Sequence, residues 1–234
     1  MYFGNLASYR AQAKPFGNHP GLYQSLIDYW RFEETGAQED RVGTLGRVTL
    51  IVDPSGGDAA YTHSGISGNA FSTANGGILL TNTTRLKPNP VVSFTFWCYR
   101  TGATLGPTEV VLQSESMVVT MTGTDVVRAF FNGFVGIDQV QNLSREMNQF
   151  ANVWNLIYVA FDATDGSVDI SVNGSNPATT AGIDGTFGET DTGFSFGDVS
   201  LTPTIYFDEM GAWSRRLTYT ELQALWNDGN GLFF

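Results

Sequence analysis

The sequence predicts an all-β sandwich of many short strands, with a short C-terminal helix and an extended N-terminal arm. Composition is the first observation behind this. The chain holds 27 glycines, 13% aromatic residues and only 15% charged residues, a mixture that fits many short strands joined by turns. Period is the second. In Val168-Asp169-Ile170-Ser171-Val172 the apolar side chains alternate strictly with polar ones, the mark of a half-buried strand. The third is a change of period within 205–231. Ile205, Phe207, Glu209, Gly211 and Trp213 fall on one strand face, and Tyr206, Asp208, Met210 and Ala212 on the other. Thr218 with Glu221 then reads as a capping box. Leu222, Leu225 and Trp226 recur at helical spacing, and Gly229 and Gly231 are placed to stop the helix.

Residues 1–21 lack sustained periodicity, yet contain Tyr2, Phe3, Tyr9 and Phe16 among Pro15, Pro20 and several glycines. A disordered tail carries fewer aromatics, so this stretch reads as an arm that drapes over its own sandwich or a neighbouring subunit, with those four rings as the expected partner-binding residues. Fully extended it reaches about 70 Å. Residues 22–234 form the sandwich, and this length suits one domain with one core. Its first strand spans 25–32. Val48–Val52 is a second, stopped at Asp53-Pro54. Asn75-Gly76-Gly77 gives a hairpin signal between strands at Phe71 and Ile78–Leu80.

After the rigid linker 86–90, Val92–Tyr99 is a central strand, apolar on both faces. Three short strands follow at 109–113, 117–121 and 126–131, with turns at Gly123-Thr124-Asp125 and Asn132-Gly133. Trp154–Asp162 is nearly continuous in apolar residues and so central. Asp162–Gly166 makes a tight connection to the strand 168–172, and Asn173-Gly174 supplies a turn with two positive-φ positions. Phe194 and Phe196 re-enter the sheet from a Gly/Thr-rich loop.

Several blocks together resemble a known family. They are Tyr29-Trp30-Arg31-Phe32-Glu33-Glu34 with Gly36 and Asp40, then Gly65–Phe71, Ser93–Trp97, Trp154–Asp162 and Val172-Asn173-Gly174. The last is Phe207-Asp208-Glu209 with Trp213, Arg215, Leu217-Thr218, Glu221-Leu222, Leu225 and Asn227-Asp228-Gly229. In this order they are similar to laminin-G-like (LamG-like jelly-roll) domains of the concanavalin A-like superfamily, over Leu22 to Gly231. The resemblance implies the fold, a concanavalin A-like jelly-roll β-sandwich of two antiparallel sheets with a short C-terminal helix, preceded here by the extended N-terminal arm. That fold hosts lectins, glycosidases and structural modules, so it leaves function open.

Composition narrows the partners. A net charge of −11, with Lys14 and Lys87 the only lysines, argues against nucleic acid and anionic membrane. No apolar run approaches the ~18–20 residues that span a bilayer. Cys98 is the only cysteine and reads as a buried, inert thiol. The N-terminus lacks the basic and apolar regions of a secretory signal, so the expected route is synthesis in a host cytoplasm and release within a phage virion.

Catalysis finds little support in the sequence. His19 and His63 stand in separate loops, with no triad or zinc spacing. Glycosidases of the superfamily carry Glu-x-Asp-x-x-Glu on one strand. The nearest match, Glu189-Thr190-Asp191, has Gly193 and Phe194 where the second glutamate belongs. Asp208 and Glu209 are adjacent on a strand, which predicts opposite faces and so no catalytic pair. The resemblance to the family's closing strand assigns them instead to structural hydrogen bonds or to a pairing with Arg215 or Arg216. No enzyme is therefore expected and no cofactor.

Relatives that hold calcium at the sandwich rim imply one alternative, with Asp162, Asp165 and Asp208 as ligands and Asp40 from the first loop. Trp97, Tyr99 and Tyr158 are the candidate platform for a glycan. The leading expectation is a structural protein of a phage particle (capsid decoration, tail or fibre), self-associating and bound to other virion proteins. The alternative is a carbohydrate-binding adhesin module.

Overall fold

The computed structural model describes residues 19–32, 48–52, 63–72, 76–80, 90–101, 109–114, 117–121, 126–133, 139–146, 152–180, 194–197 and 205–232. In chain order the strands begin with β1 (Leu26–Trp30), β2 (Val48–Val52), β3 (His63–Ser64), β4 (Asn69–Ser72) and β5 (Gly76–Leu80). Then come β6 (Val91–Arg100), β7 (Glu109–Gln113), β8 (Met117–Met121), β9 (Val126–Gly133) and β10 (Gln139–Glu146). The last are β11 (Trp154–Asp162), β12 (Ser167–Val172), β13 (Ala178–Thr180), β14 (Phe194–Phe196) and β15 (Ile205–Trp213), followed by the helix α1 (Tyr219–Trp226).

Two antiparallel sheets face each other. The first runs β13-β12-β11-β6-β15-β4-β3, and β1 pairs with the far half of β15. The second runs β10-β9-β8-β7-β14-β5-β2. Phe94, Phe96 and Cys98 of β6 face the second sheet, where Phe94 meets Phe194 at 5.0 Å and Phe96 meets Phe196 at 5.6 Å between ring centroids. A second cluster lies on the outer face of the first sheet, beneath α1: Trp97, Leu156, Tyr158 and Trp213 pack against Leu217, Leu222 and Leu225. This explains why β6 and β11 are apolar on both faces. Cys98 is buried, and that burial pushes its thiol far above the ordinary range. Among the described residues no helix is long and apolar enough to cross a membrane.

Several local expectations change. Asn75-Gly76-Gly77 does not close a hairpin: β4 pairs with β15 in the first sheet, and β5 pairs with β2 and β14 in the second. Local glycine chemistry permits a turn there but does not choose the strand's partner. Asn132 and Gly133 continue β9, opposite Val140 and Gln139, so the β9–β10 turn comes later than predicted. The strand β10 itself is not legible in the sequence, because Val140 and Leu143 are three residues apart among polar neighbours. α1 keeps its predicted capping box, but Asn227 (φ 46°) rather than a glycine is its left-handed cap.

The largest correction concerns β15. Opposite β6, Asp208 pairs with Trp97 and Gly211 with Thr95, so Glu209 and Met210 together face one residue. This is a β-bulge, with Glu209 at φ 46°. The extra residue reverses the parity of the strand. Met210 and Ala212 thereby join Phe207 in the core between the sheets, and Trp213 turns outward under α1. Without the bulge Trp213 would have shared Phe207's face.

Candidate functional site

Strand register assembles one aromatic row at the end of the outer face of the first sheet. Trp154 of β11 and Tyr206 of β15 both stand opposite Tyr99 of β6. Their rings lie 5.5 Å and 6.0 Å from that of Tyr99, tilted by 48° and 61°. All three are half-buried, and Val153 beside them is exposed. Asn152 completes the edge. Its backbone is left-handed (φ 63°) and its N–H donates to the Arg100 carbonyl at 2.7 Å, which pins the turn. The Tyr99 hydroxyl donates to its exposed Oδ1 at 3.5 Å. Apolar ring faces beside amide and hydroxyl groups form a surface that can stack on a flat, partly apolar ligand while exchanging hydrogen bonds with it.

Of the predicted platform, only Tyr99 belongs to this row. Trp97, one row further in, is 2% exposed and lies under Trp226, with the rings 5.2 Å apart and 19° from parallel. Tyr158 is 1% exposed, and its hydroxyl accepts the Leu217 N–H at 3.0 Å. Burial raises its phenol well above the usual range, outweighing that hydrogen bond, which lowers it. Both rings hold the helix rather than a ligand. The spacing of β6 could not separate Tyr99 from Trp97, since they share a face. What divides them is how far α1 extends over that face.

The predicted calcium ligands do not come together. Asp208 pairs with Trp97, which pairs with Leu156, and Asp162 lies six residues further along β11, about 20 Å away at ~3.3 Å per residue. Arg216 already occupies the carboxylate cluster at that other end. Its Nη2 is 3.3 Å from Asp162 and 3.5 Å from Asp165, and its Nε is 3.5 Å from Asp169. The guanidinium supplies the positive charge that a cation would bring. Among the described residues no three His, Cys, Asp or Glu side chains are grouped to hold a metal ion. Of the predicted donors, the described ones, Asp162, Asp165 and Asp208, do not form a calcium site together.

Asp208 and Glu209 were expected on opposite faces, and the bulge brings them to one node instead. Asp208 Oδ2 accepts the Ser67 N–H at 3.1 Å, and Oδ1 accepts the Glu209 N–H at 2.8 Å. Arg31 Nε donates to Glu209 Oε1 at 3.0 Å, and its Nη2 donates to Ser67 Oγ at 3.1 Å. The cationic partner is therefore Arg31, not Arg215 or Arg216. Arg215 instead binds Glu221 at 2.6 Å and the Gly21 carbonyl at 2.6 Å. Both carboxylates are buried, so the node ties β15 to β1 and to the loop before β4.

His19 is exposed. Tyr2, Phe3, Tyr9 and Phe16 lie outside the described residues, as do Asp40, Glu189, Thr190, Asp191 and Gly193. Phe194, which stands near the missing glutamate position, is a core residue of β14. The sequence reading missed Trp154, Tyr206 and Asn152 as site residues. Each was visible as an aromatic or amide near a strand end, but only register unites them.

No protein-family model matches the chain, and no curated protein matches it. Solved structures do share its fold. The receptor-binding domain of botulinum neurotoxin C/D mosaic serotype superposes with a TM-score of 0.69 at 12% identity, covering 87% of this chain and 51% of that one. For the botulinum neurotoxin type G receptor-binding domain the values are 0.66, 15%, 88% and 52%. For the serotype D ligand-binding domain, solved with N-acetylneuraminic acid, they are 0.69, 12%, 87% and 51%. This chain spans about half the length of those structures. The shared feature is the β-sandwich.

Proposed function

We propose that this chain is a non-catalytic binding module that attaches to glycans through the Tyr99–Trp154–Tyr206 row. The observation that carries the reading is the row itself: three half-exposed rings from adjacent strands, fringed by the Asn152 amide. Sugar rings expose a C–H face that stacks on aromatics and a hydroxyl rim that pairs with amides. Rings fixed on strands lose little side-chain freedom when they bind. Structurally similar chains add support of a coarser kind. They are receptor-binding domains, and their complexes include SialylT and synaptotagmin II.

The test is tryptophan-fluorescence titration and a glycan array with the wild type and with Trp154→Ala. Binding that falls about tenfold in the variant, the effect of one lost ~1.4 kcal/mol contact, supports the site. Binding unchanged by Trp154→Ala and by Tyr99→Ala removes it.

A second reading, attachment within a phage particle, concerns residues 1–21. The described end of this arm is bonded to the sandwich itself. The Gly21 carbonyl accepts from Arg215, and the Leu22 carbonyl accepts from Trp213 Nε1 at 2.9 Å. Gly21 and Leu22 are thereby tied to the sandwich beside the start of α1. Loss of self-association or of particle incorporation on deleting residues 1–18 would support this reading, and retention of both would remove it.

A further inference from the structure

We infer that Trp226 is a second stacking platform for the same ligand, so that the site takes a linear oligosaccharide of linked rings and not a terminal monosaccharide alone. This rests on the glycan-binding reading above and deepens it.

The placement follows from where α1 begins and ends. Thr95, Trp97 and Tyr99 succeed one another along one face of β6. Tyr158, opposite Thr95, accepts the Leu217 N–H just ahead of the helix. Trp226, the last residue of the helix, lies on Trp97, one row further along. The helix therefore runs toward the Tyr99–Trp154–Tyr206 row and stops one row short of it. Trp97 and Tyr99 are two residues apart, about 7 Å at ~3.3 Å per residue. Trp226 thus stands beside the row and one layer above it, and the row lies at the foot of a step.

Both levels of the step are aromatic. Trp154 on the lower level and Trp226 on the upper are partly exposed, and both pack against the outer cluster. Exposed Asn227, Asp228 and Asn230 follow Trp226 and set hydrogen-bonding groups beside it.

Trp226 is also held in place. Asn227 takes the left-handed cap, and its Nδ2 donates to the Gly231 carbonyl at 2.9 Å. The Gly231 N–H returns to the Trp226 carbonyl at 3.2 Å. From the side the turn after β12 presses on it: at Gly174 (φ 66°) a Cβ would stand 2.8 Å from the Trp226 Cβ. An indole fixed in this way, with one face on Trp97, loses little freedom when it binds.

A single sugar ring is close in width to one aromatic side chain, so it stacks on one platform at a time. Rings joined in a chain reach both levels. The second contact then forms at the high effective concentration that the linkage sets, and affinity rises with chain length.

The experiment titrates the full chain with a ladder, from monosaccharide to hexasaccharide, of a sugar that the glycan array shows to bind. It is repeated with Trp226→Leu, which still covers Trp97 but offers no ring, and with Trp226→Phe, which restores one. For the wild type, the hexasaccharide should bind at least about tenfold more tightly than the shortest fragment that binds. Trp226→Leu should remove most of that gain at an unchanged thermal midpoint, and Trp226→Phe should keep most of it. Affinity independent of length in the wild type overturns the inference, a result that needs no variant to fold. So does a gain that survives Trp226→Leu, or a loss in Trp226→Leu that is equal for every length. In each of these cases binding that is still sensitive to Trp154→Ala leaves the glycan site standing. No binding to any glycan, or binding indifferent to both Trp154→Ala and Tyr99→Ala, overturns the glycan reading and this inference with it.

Discussion

Gly65 marks how closely the loop before β4 must approach β15. A Cβ there would stand 2.3 Å from Asp208 Oδ2 and 2.8 Å from the Asn69 carbonyl oxygen. The carboxylate is held by two backbone N–H groups and the other contact is backbone, so neither yields easily. Gly65→Ala is expected to cost about 1–3 kcal/mol, the range for overpacking, read as a lower midpoint in chemical denaturation. Tyr29, close to the same node, gives a pH signature. Its burial raises the phenol well above its usual range, and the neighbouring Glu209 charge adds to this. A phenol raised on folding contributes stability that is fully present below its unfolded pKa of about 10 and is lost as pH rises through the folded value. Tyr158 acts in the same sense. Thermal stability is therefore expected to fall above about pH 10. The fall should be shallower in Tyr29→Phe, and a profile identical to wild type would contradict the assignment.

Among the elements, α1 decides most, because it converts one face of the first sheet into a second core. Leu222 is fully buried in that cluster, and Leu222→Ala is expected to cost about 2–5 kcal/mol in urea denaturation. Trp226 would lose its seat on Trp97 in the process, so the intrinsic fluorescence should shift to the red. The helix also has an acid-sensitive start. Partial burial raises the Glu221 carboxyl, but bonds from Arg215 and from Thr218 outweigh it and hold the carboxyl below its ordinary value. A depressed carboxyl contributes stability above its unfolded pKa of about 4.3 and loses it as pH falls through the folded value. Glu221→Gln should therefore destabilise by about 1 kcal/mol at neutral pH, the scale of a lost cap, and by less in acid. Equal losses at both pH values, by thermal melts, would count against the Arg215–Glu221 account.

For the molecule as a whole, two cores share one sheet. The inter-sheet core carries the sandwich and the outer cluster carries α1, so the arm contributes contacts at Gly21 and Leu22 but no described core residue before Leu22. Deleting residues 1–18 is expected to leave the thermal midpoint and the glycan titration unchanged. A large fall in the midpoint would show that the arm belongs to the fold.

By itself the sequence determined the class of fold, most of the strands, the capping box and the burial of Cys98. These depend on periodicity, turn chemistry and capping, which act within a few residues. Tertiary structure alone decided the rest. The bulge at Glu209 reversed the parity of β15, because a strand's register answers to its neighbour. The extent of α1 buried Trp97 and Tyr158 and left Tyr99 at its margin. Arg216 went to the aspartates, and Arg31 to Glu209. Each outcome sets residues far apart in the chain against one another, and nothing local in the sequence records which of them will meet.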